Sequence, residues 1–141
     1  MRLGLAVEPY AYDKVAISFL RKSTNDKDSK HCPEIFAQYK EKEKAMFPFI
    51  YCVSHAAFVG QRIEICDPLK RDHGPYIASE KQDKLGVCIA IVATKQKNKV
   101  MCNLAPSGKS QKECVRLYND PSVVYGYEDP YVFFNGSIEL N

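Results

Sequence analysis

The sequence of 141 residues contains no tryptophan and only three histidines. It has no Cys-x-x-Cys pair and no histidine spacing of the kind that binds zinc. No apolar run approaches the roughly 20 residues that span a membrane, and the first residues lack the apolar stretch of a signal peptide. The sequence therefore predicts no metal site, no cofactor and no membrane contact.

The length predicts one domain over residues 1–141, because chains of this size usually form a single core. The net charge is +3 and the pI is about 8.5. This mildly basic balance is compatible with a nucleic acid or an acidic protein as partner, but it does not require either.

The cysteines are the strongest compositional signal. Their number is even, which favours disulfides in a secreted protein. The alternative is a cytosolic protein with buried free thiols, since cysteine is often buried without pairing. The six positions are Cys32, Cys52, Cys66, Cys88, Cys102 and Cys114.

The hydrophobic pattern predicts an α+β fold. One helix is expected over residues 34–46, starting after Pro33 and ending before Pro48. Runs rich in β-formers predict an antiparallel sheet on which this helix packs. The predicted strands cover residues 14–20, 47–53, 58–66, a hairpin over 85–105 and a strand pair within 123–134.

Several short motifs resemble those of the small secreted fungal ribonucleases and ribotoxins. The similarity covers roughly residues 14–116, which predicts a core of that extent and an aromatic C-terminal extension over 117–141. The motifs are His31-Cys32-Pro33, Phe47-Pro48-Phe49, the basic loop 66–75, and residues 99–102 together with Cys114. By this resemblance Cys32 pairs with Cys114, and Cys66 with Cys102.

The catalytic residues of that family are missing here. Phe49 and the segment 103–106 stand where the resemblance places catalytic histidines, and Glu80 is only the nearest acidic residue to the expected glutamate. A ribonuclease-like fold without its active site resembles the secreted effectors of powdery mildew fungi. The resemblance implies a non-catalytic protein that is secreted and then acts in the host cell cytoplasm.

The same resemblance implies binding partners in a plant host. These are a defence protein, host RNA or the ribosome, and an NLR-type immune receptor that would recognise the protein as an avirulence factor. The candidate RNA- or phosphate-binding residues are Lys95, Lys97, Lys99, Lys109, Lys112 and Arg116. The candidate protein-contact residues are Lys70, Arg71, His73, Tyr125, Tyr127, Tyr131 and Phe133.

Two alternatives remain open from the sequence. The first is an active secreted ribonuclease or ribotoxin with relocated catalytic residues, for which His55 and Glu64 offer an acid/base pair, although loop or surface histidines are the simpler interpretation. The second is an unrelated intracellular α+β domain with free cysteines.

Overall fold

The computed structural model describes residues 14–70 and 83–129. Within these ranges the chain forms helices and no β-strand, so the α+β prediction is wrong. The α-helices are α1 (Lys14–Asp26), α2 (Lys42–Gly60), α3 (Lys84–Gln96), α4 (Gly108–Asn119) and α5 (Ser122–Tyr125). Three 3₁₀ segments connect the long helices: the first turn (Cys32–Gln38), the second turn (Ile63–Lys70) and the third turn (Lys99–Leu104).

The predicted hairpin over 85–105 is helix α3 followed by the third turn. Every residue from Leu85 to Ala93 is buried. A helix that is covered on all sides has no polar face, so its sequence shows the same unbroken apolar run as a buried strand. The Asp83 side chain caps the helix by accepting a hydrogen bond of 2.9 Å from the Gly86 N–H.

The predicted strand over 14–20 belongs to α1. Its buried residues fall on one helical face, with Ala16, Leu20 and Ser23 at helical spacing. β-Branched and aromatic residues in this stretch favour a strand by propensity, but packing against α2 overrides that weak preference.

The predictions of a helix over 34–46 and of strands over 47–53 and 58–66 are also wrong. The first turn takes up residues 32–38, and α2 starts at Lys42 and continues through Pro48 to Gly60. Proline removes one helical N–H donor. Because Pro48 and its neighbour Phe49 are both buried in the core, tertiary packing offsets that loss.

The four long helices run in the same direction. At their C-terminal ends, Gly60 of α2 lies against the Lys27 carbonyl after α1, and the Gln96 side chain of α3 donates a 2.7 Å hydrogen bond to the Gln61 carbonyl after α2. At the N-terminal ends of α3 and α4, the Ser110 hydroxyl donates a 3.0 Å hydrogen bond to Asp83. Each connection therefore runs back along the stack, from the C-terminal end of one helix to the N-terminal end of the next.

The structure contains an internal repeat. After α1, α2 and α3 the chain adopts a left-handed residue, in turn Lys27, Gln61 and Lys97, with φ of 52°, 55° and 55°. A buried cysteine follows five positions later in each turn, and the interval between these cysteines is about 35 residues. Three positions beyond each cysteine lies a buried apolar residue: Ile35, Leu69 and Ala105.

The contacts follow the order of the repeat. Helix α1 packs on α2, α2 on α3 and α3 on α4, and each turn packs on the helices that flank it. This sequential packing is the arrangement of solenoid proteins, in which a unit buries its apolar face against its neighbours in the chain. The fold is therefore a short stack of helix-and-turn units.

Three disulfides join each turn to the helix that follows it. The pairs are Cys32–Cys52, Cys66–Cys88 and Cys102–Cys114. The four cysteines named from the resemblance are thus all oxidised, but the pairs Cys32–Cys114 and Cys66–Cys102 are wrong. The pairing follows the stack, because each cysteine meets the nearest unit and not the far end of the chain.

Part of the predicted C-terminal extension lies in the main core. Leu117 and Val124 are fully buried, and Tyr127 is nearly so. Residues 117–127 therefore belong to the packed domain, as the last turn of α4, helix α5 and the segment that follows it.

Candidate functional site

A lysine and two aromatic rings meet where α2, α3 and α5 come together. The Lys95 ammonium lies 4.4 Å from the centre of the Phe58 ring, a cation–π contact. The Tyr125 ring packs edge-on against the same Phe58 ring, with 6.2 Å between the ring centres. We call these three residues the aromatic–lysine face.

The elements that carry this face are held firmly. Phe58 is 7% exposed near the end of α2, and the hydrogen bond from Gln96 to the Gln61 carbonyl ties the ends of α2 and α3 together. Tyr125 is 50% exposed at the end of α5. The face therefore presents an exposed tyrosine beside a positive charge on a rigid support, an arrangement suited to binding.

The predicted phosphate-binding residues do not form one group. Lys95 belongs to the aromatic–lysine face, Lys97 directly follows α3, and Lys99 begins the third turn. The other three, Lys109, Lys112 and Arg116, lie on α4, which begins at the opposite end of the stack beside Asp83. Phosphate binding stays a prediction, but six cations aligned on a single site are not what the fold provides.

Arg116 on α4 is engaged by a neighbouring carboxylate. Its guanidinium donates two hydrogen bonds to Glu113, of 2.9 and 3.0 Å. These bonds raise the pKa of Arg116 above its usual value. The pair occupies the guanidinium edge that a phosphate would need.

The predicted protein-contact residues are also separated. Lys70 lies at the end of the second turn and forms an ion pair of 3.1 Å with Asp67. Tyr125 is exposed, whereas Tyr127 is 6% exposed and packs on Tyr51 at 5.1 Å between ring centres. The remaining four residues, Arg71, His73, Tyr131 and Phe133, lie outside the described residues.

His55 is a buried structural residue, which corrects its interpretation as a loop or surface histidine. Its Nδ1 lies 3.1 Å from the Tyr127 carbonyl, to which it must donate, and its Nε2 lies 2.9 Å from the Thr24 hydroxyl. Desolvation lowers the pKa of His55, against the opposing effects of the Tyr127 carbonyl and the Asp129 charge. His55 thereby links α1 and α2 to the segment after α5, while Glu64, its predicted acid/base partner, lies exposed in the second turn.

His31 forms a more accessible acid/base pair. Its Nδ1 lies 2.6 Å from the Glu34 carboxylate, and its Nε2 is 3.9 Å from Asp26. The hydrogen bond from His31 lowers the pKa of Glu34. Because both side chains are substantially exposed, water competes with this pair.

A shallow groove of about 350 Å³ lies on the first unit. The Lys22 ammonium sits at its side, 4.9 Å from the centre of the Phe19 ring. The groove is lined by Lys14, Val15, Ser18, Phe19, Lys22 and Gln38.

Metal binding finds no support in the described ranges. Within residues 14–70 and 83–129, no group of three or more histidine, cysteine, aspartate or glutamate side chains is placed to hold an ion. In the same ranges no helix combines the length and the apolar character needed to cross a membrane. The three disulfides fit a protein that folds in an oxidising compartment, as secreted proteins do.

No family model matches the chain, and comparison with the curated proteins and with the solved structures finds no significant match. The resemblance to ribonuclease-like effectors therefore rests on short motifs alone. It does not extend to the fold, because that plan needs a sheet and the described residues form a stack of helices.

Sequence reasoning missed two features of the site. Phe58 was assigned to a strand, so its contact with Lys95 across two helices was not foreseen. The repeat was also missed, although the interval of about 35 residues between Cys32, Cys66 and Cys102 was available as a signal.

Proposed function

We propose that this chain is a secreted binding protein that contacts a partner protein through the aromatic–lysine face. The observation that carries the proposal is the exposed Tyr125 beside Lys95, both packed on the buried Phe58 ring. Tyrosine supplies large contact area at low conformational cost and is enriched among residues that dominate binding energy.

Rigidity of the support favours this function. Lys95 belongs to the last turn of α3, and α3 is covered by its neighbours along nearly its whole length. A side chain held in place before binding loses less conformational entropy when the partner arrives. The stack therefore acts as a scaffold, and its end presents the contact residues.

The narrower hypothesis is a fungal effector that acts inside a plant cell and is recognised by an NLR-type receptor. It was inferred through a ribonuclease-like fold, and with that fold overturned it retains only the disulfides that fit secretion. The partner is therefore proposed by its class, a protein, and not by its host.

Photocross-linking followed by affinity measurement tests the proposal. A photoreactive residue at position 125 should capture a protein from the fluid or tissue into which the chain is secreted, and the captured protein is then purified. We expect Tyr125→Ala and Lys95→Glu each to weaken its binding by roughly tenfold or more. The matched control is Lys40→Glu, which makes the same charge change at an exposed residue between the first turn and α2. Equal affinity for all four proteins would contradict the proposal.

RNA is a second candidate, since Lys95 and the exposed Tyr125 share the Phe58 ring and a base can stack on that tyrosine. A single-stranded RNA titrated at low and moderate salt separates the two. Binding that falls steeply with salt and is lost in Lys95→Glu would replace the protein with RNA as the partner.

The ribonuclease alternative is tested by incubating the same RNA with the protein. The His31–Glu34 pair is the exposed acid/base pair on which such activity could depend. Cleavage that disappears in His31→Ala would support an enzyme, whereas intact RNA is the outcome expected for a binding protein.

A further inference from the structure

The repeat reveals an unusual outer surface on the third turn. Cys32, Cys66 and Cys102 stand at equivalent positions of the repeat. Two positions before them lie Lys30, Glu64 and Val100, all exposed. Two positions after them lie Glu34, Pro68 and Leu104. Of the three turns, only the third has aliphatic side chains at both positions. Val100 is 68% exposed and Leu104 is 60% exposed.

Stacking does not explain these two residues. Cys102 and Ala105 are the inward positions of the third turn, since they are buried, as the equivalent residues of the other turns are. The second turn has the same 3₁₀ form and carries Glu64 and Pro68 at the outward positions. The outward aliphatic pair is therefore not required by the fold.

The third turn is also held rigidly. The Cys102–Cys114 disulfide fixes its middle to α4, and Asn98 caps its start by accepting a 3.2 Å hydrogen bond from the Val100 N–H. At its end the Gln111 amide donates a 2.9 Å hydrogen bond to the Ala105 carbonyl. Val100 and Leu104 thus cannot simply fold inward to escape water.

Two lysines lie where the chain enters this turn. Lys97 directly follows α3 and Lys99 is the first residue of the turn. Both are exposed. A second copy of the chain would bring like charges together, so the charge of this surface calls for an anionic occupant.

We propose that the third turn docks on an anionic lipid surface, with Val100 and Leu104 entering the interface and the lysines binding headgroup phosphates. Exposed aliphatic side chains next to lysines are the composition of peripheral membrane contacts. Valine and leucine are instead under-represented among the residues that dominate protein interfaces. The contact is peripheral and reversible, and it uses residues other than the aromatic–lysine face.

Cosedimentation with vesicles tests this docking. The full-length protein is mixed with phosphatidylcholine vesicles that contain about 30% phosphatidylserine, or none. We expect binding only to the anionic vesicles, weakened by added salt. Val100→Ser with Leu104→Ser should weaken binding by about tenfold or more, and Lys97→Glu with Lys99→Glu by at least as much.

The repeat supplies the matched control. Lys30→Ser with Glu64→Ser changes the residues that stand two positions before Cys32 and Cys66, as Val100 stands before Cys102, and leaves the net charge at +3. This variant should bind as the unaltered protein does, and circular dichroism should show that all variants are folded.

Three outcomes would overturn the proposal. One is no binding to anionic vesicles at low salt, which would point to a protein as the occupant. Another is unchanged binding by the Val100/Leu104 variant, which would show that the aliphatic pair is not inserted. The third is release by millimolar inorganic phosphate at constant ionic strength, which would identify a site for free anions and not a lipid surface.

Discussion

The first and third turns have the same interior and different exteriors. Each buries its cysteine and an apolar residue three positions later, Ile35 or Ala105. On the outside, Glu34 of the first turn and Lys30 just before that turn are charged, while the third turn carries Val100 and Leu104. The interior is constrained by stacking on the next helix, whereas the exterior is not, so the difference between the two exteriors points to function and not to folding.

The largest effect that would test this comparison is at an inward position. Leu69→Ala removes a side chain that is 2% exposed in the second turn. We expect a loss of about 2–4 kcal/mol in the free energy of unfolding, from lost burial and the cavity left behind. Leu104→Ala makes the same chemical change at an outward position and should change stability by less than about 0.5 kcal/mol. Urea unfolding measures both, and equal losses would refute the assignment of inward and outward positions.

A smaller effect is expected where α2 approaches the end of α1. A Cβ added at Gly60 would lie 2.5 Å from the Lys27 carbonyl oxygen. Because that neighbour is backbone, Gly60→Ala should cost about 1–3 kcal/mol. Gly108, the first residue of α4, has nothing within 4 Å of the same added atom, so Gly108→Ala should be neutral or slightly stabilising. Thermal unfolding compares the two variants, and a harmless Gly60→Ala would contradict the close parallel approach of the helices.

The smallest effect concerns pH. Burial lowers the pKa of His55 in the folded protein, so the unfolded chain binds a proton at a higher pH than the folded one does. Stability should therefore fall as pH drops below the ordinary histidine pKa of about 6.5 towards the lowered value in the folded state. Unfolding in urea at several pH values above the range in which carboxylates titrate measures this slope.

The His55→Gln variant should have a flatter profile in that window. An unchanged slope in His55→Gln would show that the buried link between α2 and Tyr127 is not its source.

The prolines in the sequence predicted the helix ends only in part. Pro33 was expected at the start of a helix, and it does stand at the start of the first turn. Pro48 was expected to end a helix, but α2 passes through it. The rule for proline describes a local cost, and the burial of Phe49 and its neighbours in α2 supplies a larger, non-local gain.

The candidate site was predicted as separate residues and not as an arrangement. Lys95 and Tyr125 were each named, for different partners, and the Phe58 ring that brings them together was not. Contacts between helices depend on how the units stack, and local sequence patterns do not show which side chains the stacking brings together.

The lack of a long apolar run and the even set of cysteines that favours oxidation could be read from the amino-acid sequence. The tertiary structure alone decided whether the run from Leu85 to Ala93 is strand or helix, and which cysteines pair. The physical reason is the same in both cases. Burial on every side erases the periodicity that distinguishes the two structures, and six cysteines allow 15 pairings until packing brings particular sulfurs together.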